Sequence, residues 1–193
     1  MSGVASGEMR VASNPGGADA LATGNSQLAT ESAQRAAVIA EAQSWMRTPF
    51  IHAAKLKGIG ADCETFICEV FAKAGVFTAQ GVPYVPQQWF LNTKQELYLN
   101  YLSKYATEYS QLATHNSPLP GDVICVKTRW VYSHGAIVLE WPFVIHCYPP
   151  CVMRSNVFTN PVFAGHELKF FNPWIKPGSG DGEQGTGDVS NGR

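Results

Sequence analysis

A series of short, apolar, strand-prone segments in the second half of the sequence constrains the fold more than any other feature. The connection at Trp141-Pro142 is too short for a crossover, so the segments beside it must pair as an antiparallel hairpin. Because the first half carries helical patterns, we predict an α+β domain in which N-terminal helices pack on a small antiparallel sheet. The predicted strands follow a Pro-Gly-Asp turn and cover residues 123–127, 134–140, 143–147 and 167–171.

Residues 58–75 predict a loop, a capped helix start and a helix stop. Asp62 has the side chain of an N-cap, and Gly75 is typical of a helix C-terminus. A thiol in the first turn meets unpaired backbone N–H groups and the positive end of the helix dipole, which favour the thiolate. Cys63 is therefore a candidate nucleophile. It belongs to an inward face at helical spacing, formed by Cys63, Phe66, Ile67, Val70, Phe71 and Ala74.

Two further helices are predicted. Helical spacing over residues 32–46 places Val38, Ala42 and Trp45 inward, and this helix should end before Thr48-Pro49 because a residue preceding proline avoids the helical region. A second helix is predicted from about residue 93 to residue 111.

The two ends of the chain differ in composition from its middle. Residues 1–33 are mostly small and polar, and residues 177–193 are rich in glycine. Neither end carries enough apolar area to offset its own ordering entropy. We therefore expect a low-complexity N-terminal arm over 1–33, one domain over 34–176 and a C-terminal tail over 177–193.

Charge and composition exclude several function classes. The net charge is −1 and 15 % of the residues are charged, so there is no electrostatic case for binding nucleic acid or an anionic membrane. No apolar run approaches the ~20 residues of a membrane span, and the first residues lack the plan of a signal peptide, so we expect synthesis in the cytoplasm. Five cysteines, an odd number, favour free thiols over a disulfide framework.

Two histidines in the predicted strands are candidate partners of the cysteine. His134 and His146 would lie directly opposite each other if the turn is centred near Glu140, and would be offset if it is centred on Trp141-Pro142. His134 could then act as general base toward Cys63, with His146 orienting its imidazole. The alternative is that each histidine is structural, because geometric partnership defines such a site.

Three motifs together resemble a known family. They are Asp62-Cys63 at a helix start, residues 133–138 (Ser-His-Gly-Ala-Ile-Val) and residues 144–146 (Val-Ile-His). In this order and spacing they resemble the NlpC-type papain-like cysteine peptidases, which cut peptidoglycan stem peptides. Residues 45–50 (Trp-Met-Arg-Thr-Pro-Phe) and 57–63 (Lys-Gly-Ile-Gly-Ala-Asp-Cys) are similar to the branch encoded by tailed phages and gene transfer agents. The similarity covers residues 34–176.

The resemblance implies a Cys63–His134–His146 triad that hydrolyses a stem-peptide amide, most often the bond from D-glutamyl to diaminopimelate. It implies that the protein is a component of the virion tail tip, that peptidoglycan is its substrate, and that the terminal arms contact other tail-tip proteins. It implies neither a cofactor nor a metal.

The chain departs from the family pattern beside the nucleophile and at the position of a frequent tyrosine. Glu64-Thr65 replaces a small Ser-Gly pair, and Phe50 occupies the tyrosine position. Residues expected to line the substrate site are Phe50, His52, Asp62, Glu64, Ser133 and Trp130. His115 and His166 are predicted to be solvated or rim residues.

The remaining cysteines have competing interpretations. Cys68 and Cys125 are predicted to be buried packing residues. A metal could be bound by Cys147 and Cys151 together with His146 and the thiols of the cysteine helix. Their spacing matches no common zinc pattern, so no metal site is predicted.

Two alternative functions stay open. The chain could be a structural tail-tip or hub component whose papain-like domain has little or no activity. It could instead be a thiol-based acyltransferase or amidase, but some relatives of that kind run His before Cys, whereas Cys63 precedes His134 here.

Overall fold

The computed structural model describes residues 16–82, 84–110 and 117–175, with side chains from residue 26 onward. His115, the C-terminal tail and the first part of the predicted N-terminal arm lie outside the described residues. Contacts between Cα atoms divide the chain into two compact units, Met1–Ala33 and Gln34–Arg193. Within the first unit the described residues are helical.

Three helices, a single 3-10 turn and eight strands make up the described chain. The helices are α1 (Gly16–Ser44), α2 (Cys63–Lys73) and α3 (Leu97–Leu102), and the 3-10 turn is Trp89–Leu91. The strands are β1 (Lys55–Leu56), β2 (Gly60–Ala61), β3 (Thr107–Tyr109), β4 (Val123–Thr128), β5 (Val131–Glu140), β6 (Phe143–Tyr148), β7 (Cys151–Asn156) and β8 (Leu168–Asn172). No helix in the described ranges is both long enough and apolar enough to cross a membrane.

Six of the strands form one antiparallel sheet in the order β3-β8-β4-β5-β6-β7, and β1 and β2 form a separate small hairpin. The predicted α+β class with an antiparallel sheet is confirmed. The four predicted strands all form, each shifted or extended at its ends by no more than three residues. Strand β7 was not predicted, and it completes the hairpin that begins with β6.

The β5–β6 register differs from the directly opposed arrangement. Ile137 pairs with Ile145 and Val138 with Val144, so the turn is centred on Trp141-Pro142. Continuing this register places His146 two positions along β5 from His134. The two histidines are offset, but an offset of two residues keeps them on one face of the sheet.

Apolar side chains cover both faces of the sheet. On one face, α1 and α2 contribute residues such as Val38 and Phe66 to a core that also contains Ile137 and Ile145. The other face carries a second cluster, which includes Val138 and Phe163. Because side chains alternate along a strand, the histidine pair shares the face of the second cluster.

Two of the predicted helices have different bounds. The N-terminal helix begins at Gly16 rather than at residue 32. The added residues include alanines, which favour a helix, but also Gly17 and Gly24, which do not, so local propensity does not explain the extension. The helix predicted over 93–111 is α3, which ends at Leu102. Residues 107–109 form β3 instead, since pairing with β8 overrides local preference there.

Candidate active site

The start of α2 is fixed by a reciprocal cap. The Asp62 carboxylate accepts the backbone N–H of Thr65 at 2.9 Å, and the Asp62 backbone N–H donates to the Thr65 hydroxyl at 3.0 Å. The second carboxylate oxygen of Asp62 accepts the N–H of Ala53 at 2.7 Å. The predicted N-cap is confirmed, and this cap holds the first turn, where Cys63 lies, in one position.

Thr65 does not crowd the nucleophile as its place in the sequence suggests. Its hydroxyl donates to the carbonyl of Ala54 at 2.5 Å, so the side chain is turned into the protein and is only 9 % exposed. Of the pair that departs from the family pattern, only Glu64 faces the cavity in front of Cys63.

A cavity of about 300 Å³ opens in front of Cys63. Helix α2, the 84–90 segment, β5 and the β6–β7 turn all contribute to its wall. Its lining includes Phe50, His52, Asp62, Cys63, Glu64, Gln87, Gln88, Trp89, Tyr98, Ser133, His134 and Tyr148. Cys63 and His134 therefore face the same enclosed space.

Two carboxylates and burial make the Cys63 thiol hard to ionise. Burial raises the pKa of Cys63 most, and the negative charges of Asp62 and Glu64 raise it further. The backbone N–H of Gly135 donates to the sulfur and opposes this rise. The sequence predicted a helix end that favours the thiolate, whereas burial and the two carboxylates act in the opposite direction.

Glu64 itself has a perturbed carboxyl group. Burial, followed by the charge of Asp62, raises the pKa of Glu64 to about 7. Its negative charge beside the sulfur is therefore partial near neutral pH and absent in mild acid.

The two histidines form a buried chain of hydrogen bonds. Nε2 of His134 lies 2.9 Å from Nδ1 of His146, and Nε2 of His146 lies 2.9 Å from Oγ of Ser155. The amide Nδ2 of Asn160 donates to the same Ser155 oxygen at 2.9 Å. Phe163 packs its ring against both imidazoles.

Both imidazoles are neutral at physiological pH. Burial lowers the pKa of His134 well below its ordinary value, and the proximity of His146 lowers it further. Burial lowers the pKa of His146 to about 4. Since the thiol is also protonated, the resting pair is thiol and imidazole rather than an ion pair. In the described part of the chain no hydrogen bond joins Cys63 to His134.

Most of the predicted site residues lie around this cavity. Phe50, His52, Asp62, Glu64 and Ser133 line it together with Cys63 and His134, whereas His146 lies fully buried behind His134. Trp130 does not line it: its ring is 48 % exposed at the β4–β5 turn, with the side chains of Lys94 and Arg129 over its faces. His166, predicted to be a rim residue, also borders the cavity.

Sequence reasoning missed several lining side chains. Trp89 and Gln88 come from the segment after Pro86, and Tyr98 comes from α3. No local pattern marks them, because their approach to Cys63 depends on how the 84–102 segment folds over the sheet. Ser155 and Asn160 were missed for the same reason, since β7 was not predicted.

The other thiols lie apart from His134. Cys125 and Cys147 are buried, and the Cys147 thiol donates to the carbonyl of Ala61 at 3.1 Å. Cys68 lies on α2 beyond the cavity lining and Cys151 opens β7. Among the described residues, no three His, Cys, Asp or Glu side chains are grouped as metal ligands.

Comparison with known proteins identifies the fold. No family model matches the sequence, and a search of curated proteins found no match. NlpC1 and NlpC2 from Trichomonas vaginalis each superpose with a TM-score of 0.52 at 11 % identity, over 71 % and 72 % of this chain and 42 % and 46 % of theirs. An NlpC/p60 family protein from Bacillus cereus superposes with a TM-score of 0.52 at 14 % identity, over 73 % of this chain and 40 % of its own.

This chain thus spans less than half of the length of these neighbours. The likeness shows that the described domain has the NlpC/p60 papain-like fold. The predicted fold class, with the nucleophile candidate at a helix N-terminus beside an antiparallel sheet, agrees with it.

Proposed function

We propose that this protein is a cysteine endopeptidase that hydrolyses an amide bond in the peptide part of bacterial peptidoglycan. The observation that carries the proposal is the arrangement of Cys63, at a capped helix N-terminus, in one cavity with His134, whose imidazole is hydrogen-bonded to His146. A thiol, a base and an orienting group in this order are the parts of an acyl-transfer site. The sequence motifs that resemble NlpC-type peptidases supply the substrate class.

The reaction begins with proton transfer, because both groups are neutral at rest. His134 takes the proton of the Cys63 thiol as the sulfur attacks the substrate carbonyl carbon, and backbone N–H groups at the start of α2 stabilise the oxyanion. The imidazolium then donates its proton to the leaving amine, which leaves an acyl-enzyme thioester. A water molecule, deprotonated by His134, hydrolyses the thioester and restores the thiol.

The finer substrate and the biological setting are also part of the proposal. We place the cleaved bond between D-glutamyl and diaminopimelate, and the protein at the tail tip of a phage or gene transfer agent, where local thinning of the wall would assist DNA entry. Support comes from residues 45–50 and 57–63, which are similar to that branch. Contacts with other tail proteins through the chain ends are proposed on composition alone.

The experiment is mass spectrometry of wall fragments released by the purified protein. Wild-type protein should release cleaved stem peptides, and Cys63→Ala should release none. Cys68→Ala removes a thiol from the same helix but outside the cavity lining, so it should cleave like wild type. Equal release by the wild type and Cys63→Ala would contradict the proposal.

One alternative is favoured by a specific observation. Burial together with the charges of Asp62 and Glu64 raises the pKa of Cys63, which opposes nucleophile activation. A tail component that binds the wall without cutting it would fit this electrostatic environment. Wild-type protein that binds purified wall in a pull-down assay but releases no fragments would favour this alternative.

A further inference from the structure

The hydrogen bonds behind His134 run in one direction from donor to acceptor. Asn160 fixes that direction at one end. Its carboxamide oxygen accepts the backbone N–H of Val162 at 2.9 Å, so the amide cannot flip without losing this bond. Its NH₂ group must therefore face Ser155 and donate to the hydroxyl oxygen at 2.9 Å.

The hydrogen bonds of the Ser155 hydroxyl extend this direction toward His146. Its side chain is buried, with the residue 7 % exposed, and Asn160 already occupies one lone pair of its oxygen. Among the described residues, Nε2 of His146 is the remaining hydrogen-bond partner of this hydroxyl, at 2.9 Å. If Nε2 carried a proton, the hydroxyl would accept twice and its own proton would have no acceptor, which is unfavourable for a buried group. Ser155 therefore donates to His146.

The tautomers of both histidines follow. A neutral His146 that accepts at Nε2 carries its proton on Nδ1, which donates to Nε2 of His134 at 2.9 Å. A neutral His134 that accepts at Nε2 must in turn carry its proton on Nδ1. This is the nitrogen left for Cys63, and while it is protonated it has no lone pair for the thiol proton.

We propose that Ser155 and Asn160 are positioning residues that hold the histidine pair in a resting tautomer unable to deprotonate Cys63. Activation requires one proton to leave His134 Nδ1 for solvent, the His146 Nδ1 proton to move to His134 Nε2, and a proton from solvent to reach His146 Nε2. The Ser155 hydroxyl turns from donor to acceptor in the same step, so that His146 donates from Nε2 and accepts His134 Nε2–H on Nδ1. The free lone pair of His134 Nδ1 then faces the thiol. This inference rests on the proposed function for its catalytic meaning, but the tautomers are properties of the folded protein alone.

Asn160→Asp reverses the chain by one substitution. An aspartate retains the oxygen that accepts Val162 N–H and replaces the NH₂ donor with an acceptor, so Ser155 donates to it and accepts from His146 Nε2–H. Asn156→Asp is the matched control. It adds the same charge at the end of β7, where the Asn156 side-chain oxygen accepts Phe158 N–H. The Asn156 side chain is not among the hydrogen-bond partners of the Ser155 hydroxyl in the described residues.

The test is ¹⁵N NMR of the histidine rings in the full-length protein near neutral pH, where protonated and unprotonated ring nitrogens have separate shifts. Wild type and Asn156→Asp should both show His146 protonated on Nδ1, and Asn160→Asp should show it protonated on Nε2. A wild-type His146 protonated on Nε2, or an unchanged tautomer in Asn160→Asp, would overturn the proposal. Ser155→Ala removes the directing hydroxyl, so a His146 that keeps its full wild-type preference in that variant would overturn it as well.

Alkylation of Cys63 gives a second readout that does not need a wall substrate. Asn160→Asp should speed alkylation of Cys63 at neutral pH by about tenfold relative to Asn156→Asp. This is the factor expected when the reactive tautomer no longer leaves the buried Ser155 hydroxyl without an acceptor. Equal rates in the two variants would contradict the proposal that the resting tautomer prevents deprotonation of Cys63. If the NMR result holds and wild-type protein releases no wall fragments, the proposed function fails while the tautomer assignment stands. If wall is cut and the tautomers are reversed, the assignment alone fails.

Discussion

The cavity has a helix wall, which carries Cys63 and Glu64, and a sheet wall, which carries His134. The two walls differ in what surrounds their ionisable groups. On the helix wall, burial raises the pKa of Cys63 most, and the Asp62 and Glu64 carboxylates beside the sulfur raise it further. On the sheet wall, His134 borders the cavity and His146 lies fully buried behind it; a hydrogen bond joins the two imidazoles, and burial lowers the pKa of both. Burial is thus the largest effect on both walls, and the helix wall adds the charge of two carboxylates beside the thiol.

These opposite shifts have one consequence for reactivity. A high thiol pKa and a low imidazole pKa both favour the neutral pair, so a thiolate–imidazolium pair is not the resting state. In the proposed reaction, the proton therefore moves from the thiol to His134 when the substrate is in place. The difference between the walls also means that each can be perturbed separately, and four experiments do so in order of decreasing effect.

The largest expected effect is a loss of unfolding free energy at low pH, caused by the buried histidine of the sheet wall. A buried His146 with a folded pKa of about 4 stabilises the protein above its ordinary pKa of 6.5, and this stability is lost as pH falls toward 4. The free energy of unfolding should decrease by about 1.4 kcal/mol per pH unit from this histidine alone, or roughly 3 kcal/mol in all.

Urea denaturation at several pH values between 7 and 4 measures this slope. His146→Gln should flatten it, whereas His166→Gln, which removes an exposed histidine, should not. Parallel pH profiles for His146→Gln and the wild type would show that His146 is not buried in the neutral form.

The second experiment compares alanine substitutions at two glycines near the site, Gly135 and Gly60, whose neighbouring side chains differ in how far they can move. A Cβ on Gly135, beside His134, would meet the Tyr98 hydroxyl and lie 2.9 Å from Cδ1 of the buried Ile67. Gly135→Ala should therefore cost about 2–3 kcal/mol of unfolding free energy.

Gly60→Ala is the comparison, because its Cβ would meet Cδ1 and Cβ of Ile51, a side chain that is 47 % exposed. The end of this side chain can turn toward solvent but its Cβ cannot, so the substitution should cost about 1–2 kcal/mol in the same urea titration, less than Gly135→Ala. If both substitutions cost the same, the sheet wall is not the more rigid of the two.

The third effect is electrostatic and belongs to the helix wall. Glu64→Gln removes a negative charge that raises the pKa of Cys63, so the thiolate fraction and the alkylation rate above pH 7 should rise about three- to tenfold. The gain should shrink as pH falls below about 7, where the wild-type Glu64 is itself protonated.

Iodoacetamide labelling followed by peptide mass spectrometry measures Cys63 specifically. Glu69→Gln alters the same helix at a charge that acts on Cys68, so it should leave Cys63 labelling unchanged. A Cys63 rate that is insensitive to Glu64→Gln would mean that burial and the charge of Asp62, and not Glu64, raise its pKa.

The smallest effect separates two tryptophans. Trp89 lines the cavity and Trp130 does not. In the proposed reaction, Trp89→Ala should therefore raise KM for soluble wall peptides by about threefold, and Trp130→Ala should leave KM unchanged. A larger change for Trp130→Ala would support the sequence-based expectation that this ring contacts substrate.

Local patterns were enough for much of the fold. The strands at 123–127, 134–140 and 143–147 and the Asp62 cap were predictable because each depends on neighbouring residues only. Thr65 shows the limit: it was interpreted as bulk beside the sulfur, although a threonine three residues after the N-cap can close the reciprocal cap.

Features that depend on register could not be predicted. The histidine offset follows from the position of the turn at Trp141-Pro142, which the sequence left open. Strand β7 has no strict apolar alternation, since its solvent-facing positions are irregular. Without β7, the approach of Ser155 to His146 had no signal in the sequence.

The bonds between β7 and the segment that follows α1 have a further consequence, which concerns association between molecules. An edge strand with free backbone groups is a template for pairing with another chain. Here Arg47 N–H donates to the Val152 carbonyl at 2.9 Å, Val152 N–H donates to Thr48 at 2.8 Å, and Phe50 N–H donates to Pro150 at 2.9 Å. The chain thus pairs the first part of this sheet edge, at residues 150–152, with its own backbone, so neighbouring copies cannot extend the sheet at those residues.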